Sequence, residues 1–220
     1  MLRLSFVTGT EPGKWLERYR SRHPQGLEAW GSEDPLKELL QGLSEIVLLR
    51  LPDPRLFPGA ELDARFHLVR LYEESPGVAV PKESVYAEVG QPLTQADIAD
   101  EPCHWEPGSD GVIDVSAVRE GLSIVAANVG VVKAPGPLLK TLSKKLVRPL
   151  PFVDGEPTPI ALVWLKEKDS PEIQDFVAVA RGRRASSSRG EVKKKRTARE
   201  KTLAKQQRRK NHNPVKKRRR

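Results

Sequence analysis

The chain is short of the residues that crosslink, ligate metals or cross membranes. Among its 220 residues there is one cysteine, Cys103. No disulfide can form within the chain, so cysteine usage gives no sign of an oxidising compartment. Without a clear histidine partner, Cys103 reads as a small structural residue rather than a nucleophile. The four histidines, His23, His67, His104 and His212, are scattered and show none of the short Cys/His spacings of a metal site. The cluster His104-Trp105-Glu106 beside Cys103 has no specific metal geometry. No GxSxG, Walker A or GxGxxG pattern occurs. The expectation is therefore a protein that is not an enzyme and needs neither metal nor cofactor. No apolar run approaches the roughly 18 residues of a membrane span. The longest, Val125 to Val132, is interrupted by Asn128 and Gly130. The opening MLRLSFVTGT has too short an apolar run for a signal peptide. No membrane span and a cytoplasmic location are expected.

Charge, by contrast, is abundant and unevenly placed. The chain holds 38 Lys and Arg against 29 Asp and Glu, a net of +9. Of these, 19 basic and two acidic residues (Glu191, Glu200) fall in residues 181–220, a net of +17. The first 180 residues keep the other 19 basic and 27 acidic residues, a net of −8. The overall basicity thus describes a C-terminal arm and hides an acidic body, a partition that points to a polyanionic partner for the arm. The body of about 180 residues suffices for one large domain or two small lobes.

Along the body, Leu2–Val7 reads as a strand and Thr8–Gly13 as a loop. Trp15, Leu16 and Tyr19 then mark a helix that Pro24 stops. Leu27–Trp30 is a short strand. Asp34-Pro35 can cap a helix through Leu36, Leu39, Leu40 and Leu43. Glu45–Leu51 is a near-continuous apolar run suited to a strand covered on both faces. This βαβαβ order predicts a parallel sheet with right-handed crossovers. Strands are expected at His67–Tyr72, Ser75–Pro81, Leu146–Pro149 and Ile160–Leu165. Helices are expected at Ser116–Val125 and Pro137–Leu142, and a short one beyond Thr94, with Thr94 as its cap. Asn128 or Gly130 supplies any positive φ in the turn at 126–132. Ile173, Phe176, Val177 and Ala180 give Pro171–Ala180 a clear amphipathic face.

Five stretches, in this order, carry a family resemblance: LRLSFVTGTEPGKWLERYRSRHP, EIVLLRLP, LVRLYEESPGVAVPKESVYA, PLTQADIADEP and GLSIVAANVGVVKAPGPLLKTLSKKLVRPL. Together they resemble the effector-binding (substrate-binding) domain of LysR-type transcriptional regulators over nearly all of residues 2–180. The junction Arg181-Gly182-Arg183-Arg184-Ala185-Ser186-Ser187-Ser188-Arg189-Gly190 is also similar to a subgroup of short LysR substrate-binding proteins. Those proteins lack the N-terminal winged helix and carry a basic tail. Two features depart from the family pattern. Pro76-Gly77 sits inside the crossing strand, and Lys133 stands where the family favours an apolar residue. The chain starts at the first strand of the sensing domain, so no groove-reading helix-turn-helix is expected.

The resemblance implies an α/β fold of the type 2 periplasmic-binding-protein kind, with two βα lobes around a cleft. Lobe I would comprise about 1–74 and 166–180, lobe II about 75–165, and the basic tail 181–220, mostly disordered or partly helical. A small-molecule effector, with a small anion as one option, would bind in the cleft. Strand-end loops and helix N-termini offer free N–H groups there. The matching positions are Thr8, Gly9 and Thr10, then Arg50 and Leu51, then Ser116, Gly130 and Val131. Arg50 could pair with a ligand carboxylate or, within the chain, with Asp53. The resemblance also allows a homodimer, or pairing with a LysR-type regulator. The tail has almost no aromatic residues for stacking on bases. Its expected mode is phosphate contact without sequence readout, to DNA or RNA alike. The contacts would come from Lys193, Lys194, Lys195, Arg196, Arg199, Arg208, Arg209, Lys210, Lys216, Lys217, Arg218, Arg219 and Arg220.

Overall fold

The computed structural model describes residues 1–59 and 61–182. The tail residues expected to meet nucleic acid, Lys193 to Arg220, lie outside the described residues.

The βαβαβ start forms as expected. Strand β1 (Leu2–Val7), helix α1 (Gly13–Arg20), strand β2 (Leu27–Ser32), helix α2 (Pro35–Leu40) and strand β3 (Ile46–Arg50) follow one another. β1 lies parallel to both β2 and β3. Asp34 caps α2, accepting a hydrogen bond from the Lys37 N–H at 3.1 Å, with Pro35 in the first helical turn. All five residues of β3 are buried, which accounts for their apolar run.

Then β4 (Phe66–Glu74) leads, through Ser75 alone, into β5 (Pro76–Pro81) of a second sheet. That sheet continues with helix α3 (Val85–Val89), strand β6 (Cys103–Trp105), helix α4 (Val115–Val125), strand β7 (Val131–Pro135), helix α5 (Gly136–Leu142) and strand β8 (Val147–Pro151). Strand β9 (Thr158–Leu165) returns to the first sheet, and helix α6 (Pro171–Ala180) closes the described chain. The strand orders are β2-β1-β3-β9-β4 and β6-β7-β5-β8. β9 pairs antiparallel with β3 and β4. The sheet boundary therefore falls before Thr158, not after residue 165 as expected from sequence. An isolated strand signature does not say which sheet its hydrogen bonds will join.

Each sheet has apolar cores on both faces, sorted by residue parity. Ile46 and Leu48 pack with α1 and α6 around Tyr19 and Phe176, while Val47 and Leu49 pack on the other side with Leu36 and Leu39 of α2. In the second sheet Ala79 faces α4 and α5, and Val78 and Val80 face Leu93 and Ile98.

One local expectation needs correction, and two short elements appear that the sequence did not signal. Residues 95–98 form turns rather than a helix. The expected cap does form: the Asp97 carboxylate accepts from the Thr94 N–H (2.7 Å) and hydroxyl (2.6 Å), and the Asp97 N–H donates to the Thr94 hydroxyl (3.3 Å), but the turns that follow do not extend into a helix. Helix α3 and strand β6 had no counterpart in the sequence reading. α3 is a single turn bounded by the Ser84 cap and by Gly90 at φ 68°, too short for periodicity to show. Both Asn128 (φ 68°) and Gly130 (φ 59°) take the left-handed conformation between α4 and β7.

Phe176 is fully buried against Tyr19 in a T-shaped contact. Phe176→Ala should lower unfolding free energy by about 3–5 kcal/mol. Ile124→Ser, at an exposed position, should change it by no more than about 0.5 kcal/mol. Urea unfolding followed by circular dichroism checks both.

Candidate functional site

The two sheets meet at the ends of β1, β3, β4 and β5. The Thr8–Thr10 loop after β1 is mostly satisfied by its own backbone. The Thr8 N–H and hydroxyl both donate to the Ser32 carbonyl (2.9 and 3.3 Å), and those of Thr10 donate to the Val7 carbonyl (3.1 and 2.7 Å). Gly9 sits at φ 93°, and a Cβ there would lie 2.8 Å from Leu138 Cα and 2.9 Å from Arg50 Nη2. Only glycine lets this loop touch α5 and the Arg50 guanidinium together.

Arg50 does not pair with Asp53 and is not left open to a ligand. It is buried, and so is its partner Glu74, the last residue of β4. Arg50 Nε donates to Glu74 Oε2 at 2.7 Å, Nη2 to Oε1 at 3.2 Å, and Nη1 to the Thr8 carbonyl at 2.8 Å. Asp53 is engaged instead by Arg55, which also reaches Asp34. Burial pushes the Glu74 carboxyl above its ordinary range, opposed by the hydrogen bond and charge of Arg50. The nearby Tyr72 hydroxyl is pushed up to about 12, first by burial and then by the Glu74 charge.

Three cavities surround this joint. The first, of about 390 Å³, lies between the two sheets' loops and is lined by Arg50, Asp53 and Glu33 on one side and Val112–Ser116 on the other. The Arg119 guanidinium of α4 pairs with the Glu33 carboxylate across its mouth. The second, of about 580 Å³, lies at the connections between the sheets and includes Leu51, Gly77, Lys133 and Thr158. The third, of about 640 Å³, lies beyond the Gly9 contact and includes Thr10, Tyr72, Glu74 and Lys140.

The expected cleft residues are thus divided. Arg50 and Ser116 line the first cavity, Leu51 the second, and Gly9 and Thr10 the third. Thr8 joins them through its carbonyl on Arg50. Gly130 and Val131 line none of these cavities. A Cβ on Gly130 would collide with the Pro102 carbonyl, and Val131 is buried in the core around Val78, both beside β6. The expectation for these two is corrected: the cleft is approached from the far end of β7, where α5 begins. Ser116 offers no free N–H for an anion, because Asp114 Oδ1 accepts from the N–H groups of Ser116 (2.9 Å) and Ala117 (3.0 Å).

The sequence reading missed Glu74, Asp114 and the groups around Lys133. For Glu74 the available signal was an acidic residue closing a strand directly before the crossing segment. For Asp114 it was an Asp two residues before a Ser at a helix start. Among the described residues no His/Cys/Asp/Glu group could hold a metal ion, and no helix is long and apolar enough to cross a membrane.

Removing one partner of a buried ion pair strands the other charge. Glu74→Ala should cost about 3–5 kcal/mol of stability, whereas the double variant Arg50→Met/Glu74→Leu should recover most of it. Denaturant unfolding of the two variants measures the difference.

No family model and no curated protein matches the sequence. Solved structures do match the fold. The BenM effector-binding domain with its effector benzoate superposes with a TM-score of 0.62 at 18% identity, covering 82% of this chain and 90% of that one. Full-length CbnR complexed with its target DNA gives 0.59 at 14%, covering 83% and 70%. HinK, a LysR family transcriptional regulator from Pseudomonas aeruginosa, gives 0.58 at 14%, covering 82% and 68%. The chain spans 66% of full-length BenM. Two sheets joined by short connections around a loop-lined cleft are thus the fold of the effector-binding domains of LysR-type transcriptional regulators.

Proposed function

We propose that this chain is a ligand-sensing regulatory protein, with a cleft for a small-molecule effector and a basic C-terminal segment that binds nucleic acid through phosphates. The observation that carries the sensing half is the first cavity. Its volume of about 390 Å³ falls in the range of small-molecule sites. Its walls come from both lobes, so an occupant would bias their separation. The effector-binding domain of BenM with benzoate and the CbnR–DNA complex support the reading by analogy of fold. An anionic effector would have to compete with Glu74 for Arg50 and with Asp114 for the start of α4. Hydrogen-bond donors on the effector fit the carboxylates of Glu33, Asp34, Asp53 and Asp114 better.

The nucleic-acid half rests on composition: 19 basic residues against two acidic ones in 181–220. Such a segment neutralises phosphates and releases counterions without reading bases. The body would sit in the cytoplasm as a homodimer or beside a LysR-type regulator.

Fluorescence anisotropy on a mixed-sequence duplex tests the arm, comparing the full chain with one ending at Gly182 across a salt series. The full chain should bind, with log affinity falling at roughly −0.9 per neutralised phosphate against log salt. The shortened chain should not bind. Equal binding by both, or none at low salt, would remove the nucleic-acid role and leave the body as a stand-alone ligand- or partner-binding module.

A further inference from the structure

The second cavity is built differently from the cleft. Both connections between the sheets pass along it, the first at Pro76 and the second at Pro157–Pro159. Prolines hold fixed backbone and present apolar rings, so these walls are stiff. Facing them is a lysine in a strand that is otherwise buried: β7 reads Val-Val-Lys-Ala-Pro, and the Lys133 side chain is only 13% exposed. An apolar residue would suit that position in a sheet core, and sinking an ammonium there costs folding stability.

The surroundings of Lys133 form a charge pair with a defined gap. Its Nζ donates to Gln95 Oε1 at 2.8 Å and to Glu106 Oε2 at 2.7 Å, and lies 5.6 Å from the centre of the Phe152 ring. An ammonium has three N–H donors, so one remains. Glu106 is 56% exposed and on a loop, so water can take it over at little cost. At the other end of the same glutamine, the Gln95 N–H donates to Asp154 Oδ2 at 2.7 Å. Gln95 therefore holds a cation at its side chain and a carboxylate at its backbone, both at the cavity wall. A simple anion would meet Asp154 and Glu156 as well as Lys133, and a simple cation would meet Lys133.

We infer that this hinge cavity binds a small zwitterion of the amino-acid class, its carboxylate on Lys133 in place of Glu106, its ammonium on Asp154, and an apolar side chain against Phe152 and the prolines. Burying such a ligand would tie together the two connections between the lobes. The inference is independent of the effector in the cleft and of the basic arm.

Isothermal titration of the full chain with leucine and with phenylalanine tests it. The controls are the corresponding amines without the carboxylate and the N-acetylated acids without the ammonium. At least one of the two amino acids should bind at millimolar concentration or better, and its two truncated analogues should bind at least tenfold more weakly. Lys133→Met and Asp154→Asn, each checked for folding by circular dichroism, should each weaken binding at least tenfold. Ile124→Ser, at an exposed position outside both cavities, should leave it unchanged. The inference is overturned if neither amino acid binds, if the analogues bind as well as their parent, or if both hinge variants keep wild-type affinity.

Discussion

The buried pair of Arg50 and Glu74 fixes the place where everything else in the body converges. Glu74 ends β4, and a single residue, Ser75, separates it from the first strand of the other sheet. Arg50 ends β3 and also holds the carbonyl of Thr8 after β1. On the far side of the joint the Ser75 carbonyl accepts a hydrogen bond from the Gly136 N–H, at the start of α5, at 2.9 Å. One guanidinium thus ties three strand ends of the first sheet to the residue before the crossing, and the next backbone bond ties that crossing to the second sheet. Such a pair adds little net stability compared with apolar residues of the same volume, because desolvating both ions offsets most of their attraction. Its value is geometric. The bidentate contact allows one arrangement of the strand ends, and the Gly9 loop packs directly on it.

That arrangement decides what the cleft can hold. Two helices begin at the first cavity, α2 after Asp34 and α4 after Asp114. Helix N-termini ordinarily invite anions, yet both are already capped by their own aspartates. Arg55 is neutralised between Asp34 and Asp53, and Arg50 by Glu74. The groups with spare hydrogen-bonding capacity at this wall are therefore mainly acceptors. The acceptors come from side chains at the helix starts and strand ends, and the fold itself does not impose them.

Most of the architecture was legible in the sequence, because short-range signals specify it. Asp34-Pro35 marks the start of α2, the apolar run of β3 marks a doubly covered strand, and the i, i+3, i+4, i+7 pattern marks α6. What was not legible depends on contacts distant in sequence. Arg50 finds Glu74, 24 residues away, rather than Asp53, three residues away, because β9 lies between β3 and β4 and brings their ends together. β9 itself reads as a strand from its own residues, but only its pairing with Val47–Arg50 assigns it to the first sheet. Gly130 looked like a ligand-facing glycine. It is instead required by the close passage of the Pro102 carbonyl. Lys133 stood out as a charged residue in an apolar strand, but its partners Gln95 and Glu106 lie 38 and 27 residues away.

The cleft and hinge cavities share a wall. Pro52 and Ile113 line both. Pro52 follows the buried Leu51, whose N–H donates to the Pro159 carbonyl at 2.8 Å, so this part of the wall is fastened to the second connection between the lobes. Ile113 belongs to the loop leading into α4 and packs against the core around that helix. Any displacement of this shared wall would alter both cavities at once. Two ligands occupying them would be coupled, each shifting the same equilibrium by its own difference in affinity for the open and closed forms. The coupling would be reciprocal. The stiffness of the proline walls works in the same direction. A hinge that cannot deform locally passes a change on one side to the other.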